Sequence, residues 1–131
     1  MIKDRAITGL IALAGLINFA PIMGILSAAR VEGLYGIEIN DPALEILLRH
    51  RAVLFGLLGG FMIVAAFKPQ MHRVAIVGGL IAMLSFMALF YFGNEQPSSL
   101  MSIIYADVVG VIALILAMLL KFLDHRNKGL H

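Results

Sequence analysis

The chain has 131 residues, of which 61% are hydrophobic and 14% are charged. A soluble domain carries about a quarter charged residues, so this composition excludes an ordinary soluble protein and indicates an integral membrane protein. The formal net charge of +2 comes without interleaved basic and aromatic residues, so we expect no nucleic acid as a partner. Cysteine is absent, which excludes disulfide exchange and thiolate metal ligands. We predict no metal site and no cofactor.

The first predicted span covers residues 6–29, which carry no charge over a length that can cross a bilayer. The small residues at 27–29 loosely imitate a signal-peptide cleavage site. However, the apolar run is longer than a usual signal core and contains Asn18 and Pro21, so we expect it to stay in the protein as a helix. A loop on the outer side is predicted at 30–48.

The second predicted span, at about 50–67, is short. Only 16 uncharged residues separate Arg51 from Lys68, and as a helix they cover about 24 Å of a hydrocarbon core of about 30 Å. Asp41 and Pro42 are typical of an N-cap and a first helical position, so the helix is expected to begin near Pro42. Arg51 then either snorkels to the interface or lies at membrane depth.

The third and fourth spans are predicted at 74–93 and 100–120. The third is free of charge, whereas the fourth contains Asp107, the only acid inside a predicted span. The predicted fold class is therefore all-α: a single polytopic membrane domain forming a four-helix bundle.

Lysine and arginine predict the orientation of the bundle. With four spans, seven of these residues lie on the side of the two termini and three on the other side, where the second loop has none. The positive-inside rule therefore predicts that both termini are cytoplasmic, N-in and C-in. The seven residues are Lys3, Arg5, Lys68, Arg73, Lys121, Arg126 and Lys128, and the three are Arg30, Arg49 and Arg51.

Four spans are each predicted to contribute a polar group to one layer toward the outer side. Counted from Lys121 at 1.5 Å per residue, Asp107 lies about 20 Å above the inner boundary. Arg51, Asn18 and Ser85, counted on their own helices, come out between about 18 and 25 Å. An isolated charge at this depth costs several kcal/mol, so we expect it to be paired or hydrated.

Two arginines compete for the aspartate in this layer. Depth favours Arg51. Arg49, in contrast, shares a helical stripe with Gly56 and Gly60, a small-xxx-small pattern that lets another helix pack closely. Arg49 is also four residues after Glu45, the favourable order for an ion pair within one helix. Sequence alone leaves both pairings open.

The polar layer has two interpretations. One is a structural ion-pair network that fixes helix register, formed by Glu45, Arg49, Arg51 and Asp107. The other is a ligand-binding pocket that opens outward. Its predicted binding residues are Asn18, Arg49, His50, Arg51, Tyr105 and Asp107.

The run RHRAVLFGLLG, residues 49–59, together with the preceding LYGIEI and the later YADVVG, resembles a family of small bacterial four-helix membrane proteins. More distantly, the architecture is similar to DoxX-like proteins. The resemblance implies a location in the bacterial inner membrane and a polar cluster formed by Arg49, His50, Arg51 and Asp107. Many members of this family are labelled phosphopantetheine adenylyltransferase. The chain lacks the histidine-x-glycine-histidine motif of the soluble enzymes, so adenylyltransferase activity is not expected.

The leading functional prediction is a non-enzymatic membrane protein that binds a lipid-like, quinone or small anionic ligand in its outer polar layer. An accessory subunit of a larger membrane complex is the alternative. A proton-coupled transporter that uses Asp107 is a weaker third hypothesis, because the inner half of the spans offers no polar path. The predicted partners are membrane lipids, with self-association or a larger membrane complex also open.

Overall fold

The computed structural model describes residues 2–25, 29, 32–33 and 36–130. Arg30, Tyr35 and the cleavage-like residues at 27–28 lie outside this part of the chain. The described residues contain four long helices and no strand, which confirms the all-α prediction. The helices are α1 (Ile2–Phe19), α2 (Pro42–Ala66), α3 (His72–Phe92) and α4 (Met101–Gly129), and short 3₁₀ segments are found at Ala20–Ile25, Pro69–Met71 and Ser98–Leu100.

Four helical stretches are long and apolar enough to cross a membrane, as expected for a multi-pass membrane protein. Only between 22% and 33% of the residues in their most apolar windows are buried inside the bundle. The outward faces carry large apolar side chains, including Leu57, Ile81 and Leu89, which are 67%, 65% and 76% exposed. Exposing so much apolar surface to water is unfavourable, whereas contact of the same surface with lipid chains is not.

Helix α2 begins where the sequence predicts. Asp41 is its N-cap, and the carboxylate accepts a hydrogen bond from the backbone nitrogen of Ala43 at 2.9 Å. Pro42 occupies the first turn, where its missing N–H costs nothing. The 25-residue helix is about 37 Å long, so it crosses a bilayer although its uncharged part is short.

Neighbouring helices in the chain pack antiparallel around one apolar core. A Cβ on Gly15 would meet Ile63 across the α1–α2 interface, and Gly110 faces Met83 across α3–α4. The core contains fully buried Ile11, Met62, Met83 and Leu114. We call the end of the bundle with Ile2 and Gly129 the termini end, and the end with Ala20, Pro42 and Leu100 the opposite end.

The closest helix approach in α1–α2 falls at Gly15 and Gly59. A Cβ on Gly59 would lie 2.6 Å from the carbonyl oxygen of Gly15 and 2.7 Å from the Cα of Phe19. Of the two glycines predicted for packing, Gly56 lies against the side chain of Ile22, whereas a Cβ on Gly60 would meet only the Phe19 ring at 3.9 Å. The difference follows from the rotation of α2 about its axis. The buried face of this helix is centred near Gly59 and not on the Arg49 stripe.

Candidate functional site

A cavity of about 220 Å³ lies at the opposite end, between α1, α2 and α4. We call it the polar cavity, because three of the polar residues that line it come from three different helices. Its polar residues are Asn18, Arg51, Ser102 and Asp107, and its apolar lining is Ile17, Ala20, Pro21, Phe55, Ile103 and Ala106.

A change in the backbone of α1 shapes one wall of the cavity. The α-helix ends at Phe19, well before the end of the predicted first span, and continues as the 3₁₀ segment Ala20–Ile25. Pro21 has no N–H and cannot donate to the carbonyl of Ile17, so α-helical bonding stops there. The tighter 3₁₀ backbone carries Ala20 and Pro21 along the cavity wall.

Arg51 lines the cavity from α2 and contacts two aromatic rings. Its Cζ atom lies 4.9 Å from the ring centre of Phe55 and 4.7 Å from that of Phe86. Each such contact contributes about 0.5–2 kcal/mol, more where water is excluded. These contacts hold the guanidinium group, which carries hydrogen-bond donors, at the cavity.

Asp107 lies on α4 and lines the same cavity as Arg51. Among the described residues, no side chain or backbone group donates a hydrogen bond to the Asp107 carboxyl group. The structure therefore places Arg51, the arginine favoured by depth, at the same cavity as the aspartate.

Asn18 is the third polar residue of the cavity and is 2% exposed. Its Nδ2 atom donates to the carbonyl oxygen of Ala14 at 2.9 Å and lies 3.9 Å from the sulfur of Met62. These contacts fix the orientation of the amide. A buried polar group without a partner costs free energy, and the hydrogen bond to Ala14 of the same helix lowers this cost for the Asn18 amide. Asn18 also lines the cavity.

The remaining predicted binding residues do not line the cavity. Arg49 forms the predicted ion pair with Glu45, with 3.2 Å between Nη1 and Oε1. His50 is exposed, and Tyr105 is 64% exposed. Helix geometry explains this separation: successive residues turn by about 100°, so His50 and Arg51 face different directions. Ser85, predicted in the same layer, is also exposed and donates to Ala82 of its own helix.

Sequence reasoning missed three residues that either contact Arg51 or add a polar group to the cavity. Phe55 lies four residues after Arg51, so a helical cation–aromatic pair could have been read from the spacing. Phe86 comes from α3, and no local pattern links it to Arg51. Ser102 lines the cavity from the first turn of α4 and carries no signal beyond its hydroxyl group.

The cavity combines a cationic donor, a carboxyl acceptor and an amide in a small volume. At about 30 Å³ for each water molecule, 220 Å³ accommodates a polar group of a few heavy atoms and no complete amphipathic molecule. No cluster of three or more His, Cys, Asp or Glu side chains that could hold a metal ion occurs within the described ranges.

Comparison of the chain with protein-family models, with curated proteins and with solved structures gives no match. The resemblance to the small bacterial four-helix family therefore stays a prediction from sequence, and the chemistry of the polar cavity carries the functional argument.

Proposed function

We propose that this chain is a membrane protein that binds the polar end of an amphipathic ligand, a lipid or a quinone, in the polar cavity. The observation that carries the proposal is the position of Arg51 and Asp107 around one cavity in a chain whose four long helices are apolar enough to cross a membrane. With both termini in the cytoplasm, as the lysine and arginine distribution predicts, the cavity lies toward the outer side of a bacterial inner membrane.

The donors and acceptors around the cavity describe the ligand. Arg51 supplies N–H groups, so the ligand needs an oxygen acceptor such as a phosphate or a carbonyl group. Asp107 supplies carboxyl oxygens, so the ligand also needs a hydrogen-bond donor such as an ammonium or a hydroxyl group. Zwitterionic lipid headgroups and quinol rings carry both groups. A simple anion satisfies Arg51 alone, which makes it the poorer fit.

The apolar core between the cavity and the termini end disfavours proton transport. The buried core there is apolar and includes Ile7, Ile11, Leu114 and Ala117. Charged or hydrated groups would need a polar path through these residues. A binding site that is reached from one end of the bundle agrees better with this core.

The test is native mass spectrometry of the detergent-purified protein with matched variants. Arg51→Gln and Asp107→Asn each remove a charge from the cavity. The control for the first is Arg49→Gln, which changes an arginine of the same helix outside the cavity. The control for the second is Tyr105→Phe, which changes a neighbouring residue of α4 outside the cavity. We expect the wild type and both controls to retain an adduct, and each cavity variant to bind it about tenfold more weakly, as for loss of a charge-assisted hydrogen bond.

The proposal is wrong if folded wild type carries no adduct from native membranes and binds neither added phosphatidylethanolamine nor added ubiquinol. It is also wrong if the controls lose the adduct as strongly as the cavity variants. In either case the polar residues form a packing network, and the protein fits better as an accessory subunit of a membrane complex.

A further inference from the structure

A second cavity, of about 560 Å³, lies between α3 and α4 at the termini end. We call it the basic groove. Its charged lining includes Arg73 from the first turn of α3 and both Lys121 and Lys128 from α4. Its apolar wall includes Val77, Met118 and Phe122. None of these residues lines the polar cavity, so the two sites are independent.

Positive charge dominates the groove. Asp124 is the one carboxylate among its lining residues, and its Oδ2 atom is already 2.9 Å from the Nζ atom of Lys128. Arg73 and Lys121 are therefore the cations that Asp124 does not engage directly. An anion in the groove would meet these two charges at short range.

The ammonium group of Lys121 is held in place. Its Nζ atom donates to the carbonyl oxygen of Pro69 at 3.0 Å and to the Nδ1 atom of His72 at 3.4 Å. His72 is 4% exposed, and its Nε2 atom donates to the carbonyl oxygen of Ala66 at 2.9 Å. Because both ring nitrogens of His72 are engaged, the Lys121 ammonium is fixed at the groove before any ligand arrives. Preorganised donors bind at lower entropic cost.

The apolar wall lies beside these cations. Val77, Met118 and Phe122 are 54%, 45% and 62% exposed. Val77 and Met118 lie farther from the termini end than Arg73 and Lys121, and Phe122 is next to Lys121 in α4. In a spanning bundle, lysine and arginine at helix ends lie at the headgroup level and the adjoining apolar residues face the acyl chains. The groove therefore presents cations and an apolar wall in the order in which a phospholipid presents its phosphate and its chains.

We propose that the basic groove binds an anionic phospholipid, with its phosphate group at Arg73 and Lys121 and an acyl chain along Val77, Met118 and Phe122. The volume is within the range of about 300–1,000 Å³ that is usual for ligand sites. A phosphate ester also occurs in soluble metabolites. The test therefore distinguishes a phospholipid from a soluble phosphate ester as the ligand.

The experiment titrates delipidated full-length protein in detergent with phosphatidylglycerol, phosphatidylcholine or soluble glycerol phosphate and counts adducts by native mass spectrometry. Arg73→Gln is the test variant. Arg126→Gln is its matched control, since Arg126 is an exposed arginine of α4 that does not line the groove. We expect phosphatidylglycerol to bind most tightly, Arg73→Gln to weaken it about fivefold, Arg73→Lys to restore it and Arg126→Gln to leave it unchanged.

Equal binding of phosphatidylcholine, or an equal loss in Arg126→Gln, would overturn the site. Competition by glycerol phosphate at the same concentration would overturn the lipid as its ligand and assign the groove to a soluble phosphate ester. Arg73 is exposed, so its variants are expected to fold, and thermal unfolding of the same samples checks this. The cavity variants Arg51→Gln and Asp107→Asn should leave this binding intact, which separates the groove from the polar cavity.

Discussion

The two ends of the bundle both gather charged side chains, but they hold them differently. At the polar cavity, Arg51 is partly buried among the helices and contacts the rings of Phe55 and Phe86. At the basic groove, Arg73 and Lys128 are exposed on the surface, and Lys128 pairs with Asp124 of its own helix. Lys121 is held by a turn between helices. Interior charges depend on packing and electrostatics together, whereas surface charges depend on water and ions. Substitutions at the two ends should therefore act on different properties.

The largest expected effect concerns the helix contact that supports the polar cavity. In Gly59→Ala, the new methyl group would overlap backbone atoms of Gly15 and Phe19, next to Asn18. Because backbone cannot rotate away, α1 and α2 must separate, and we expect a loss of about 3 kcal/mol in the free energy of unfolding. Unfolding in a titration with sodium dodecyl sulfate measures this loss. Gly60→Ala is the control, since its Cβ has room, and a comparable loss there would contradict the assigned contact.

A second substitution separates stability from binding at the same end. Arg51→Leu leaves Asp107 without the charge that faces it, and we expect a loss of about 2 kcal/mol in the free energy of unfolding, since Arg51 is only partly buried. The double variant Arg51→Leu/Asp107→Leu should recover most of this loss, because a well-packed apolar pair replaces the charges.

The same double variant should still fail to retain the ligand adduct of the wild type. Recovery of stability without recovery of binding would show that the charges serve the ligand, whereas recovery of both would contradict the proposed function. Arg49→Leu, two residues away and outside the cavity, controls for a general effect of losing an arginine from α2.

The smallest effect is expected at the termini end. His72→Ala removes one hydrogen bond to Ala66 and one from Lys121, and we expect a loss of about 1–2 kcal/mol in the free energy of unfolding. His125→Ala changes an exposed histidine of the same end and should have little effect. Equal stability of both variants in the same detergent titration would mean that the hydrogen bonds of His72 to Ala66 and Lys121 do not stabilise the protein.

Features that lie within one helix could be predicted from the sequence. The start of α2 at Pro42 with its Asp41 cap follows from residue types at adjacent positions, and the structure confirms it. The Glu45–Arg49 ion pair follows from a spacing of four residues, and it is also confirmed. Both depend on local geometry that every α-helix shares.

The candidate site was only partly predictable. Depth along the helices grouped Asn18, Arg51 and Asp107, because each residue adds a fixed rise from a charged boundary, and these three residues line one cavity. The same count also included Ser85, which is exposed. Position along a helix does not give the direction in which a side chain points. For this reason the predicted binding residues also contained His50 and Tyr105, which do not line the cavity.

By itself, the sequence determined the all-α class, four helices apolar enough to span a membrane, and the level at which polar residues meet. Only the tertiary structure decided that Arg51 and Asp107 line one cavity, that Phe86 contacts Arg51 and that Gly59 packs against the backbone of Gly15 and Phe19. The physical reason is rotation about the helix axis. Charge, length and rise fix the position of a residue along its helix, but the face that turns inward is set by the side chains of the other helices that pack against it.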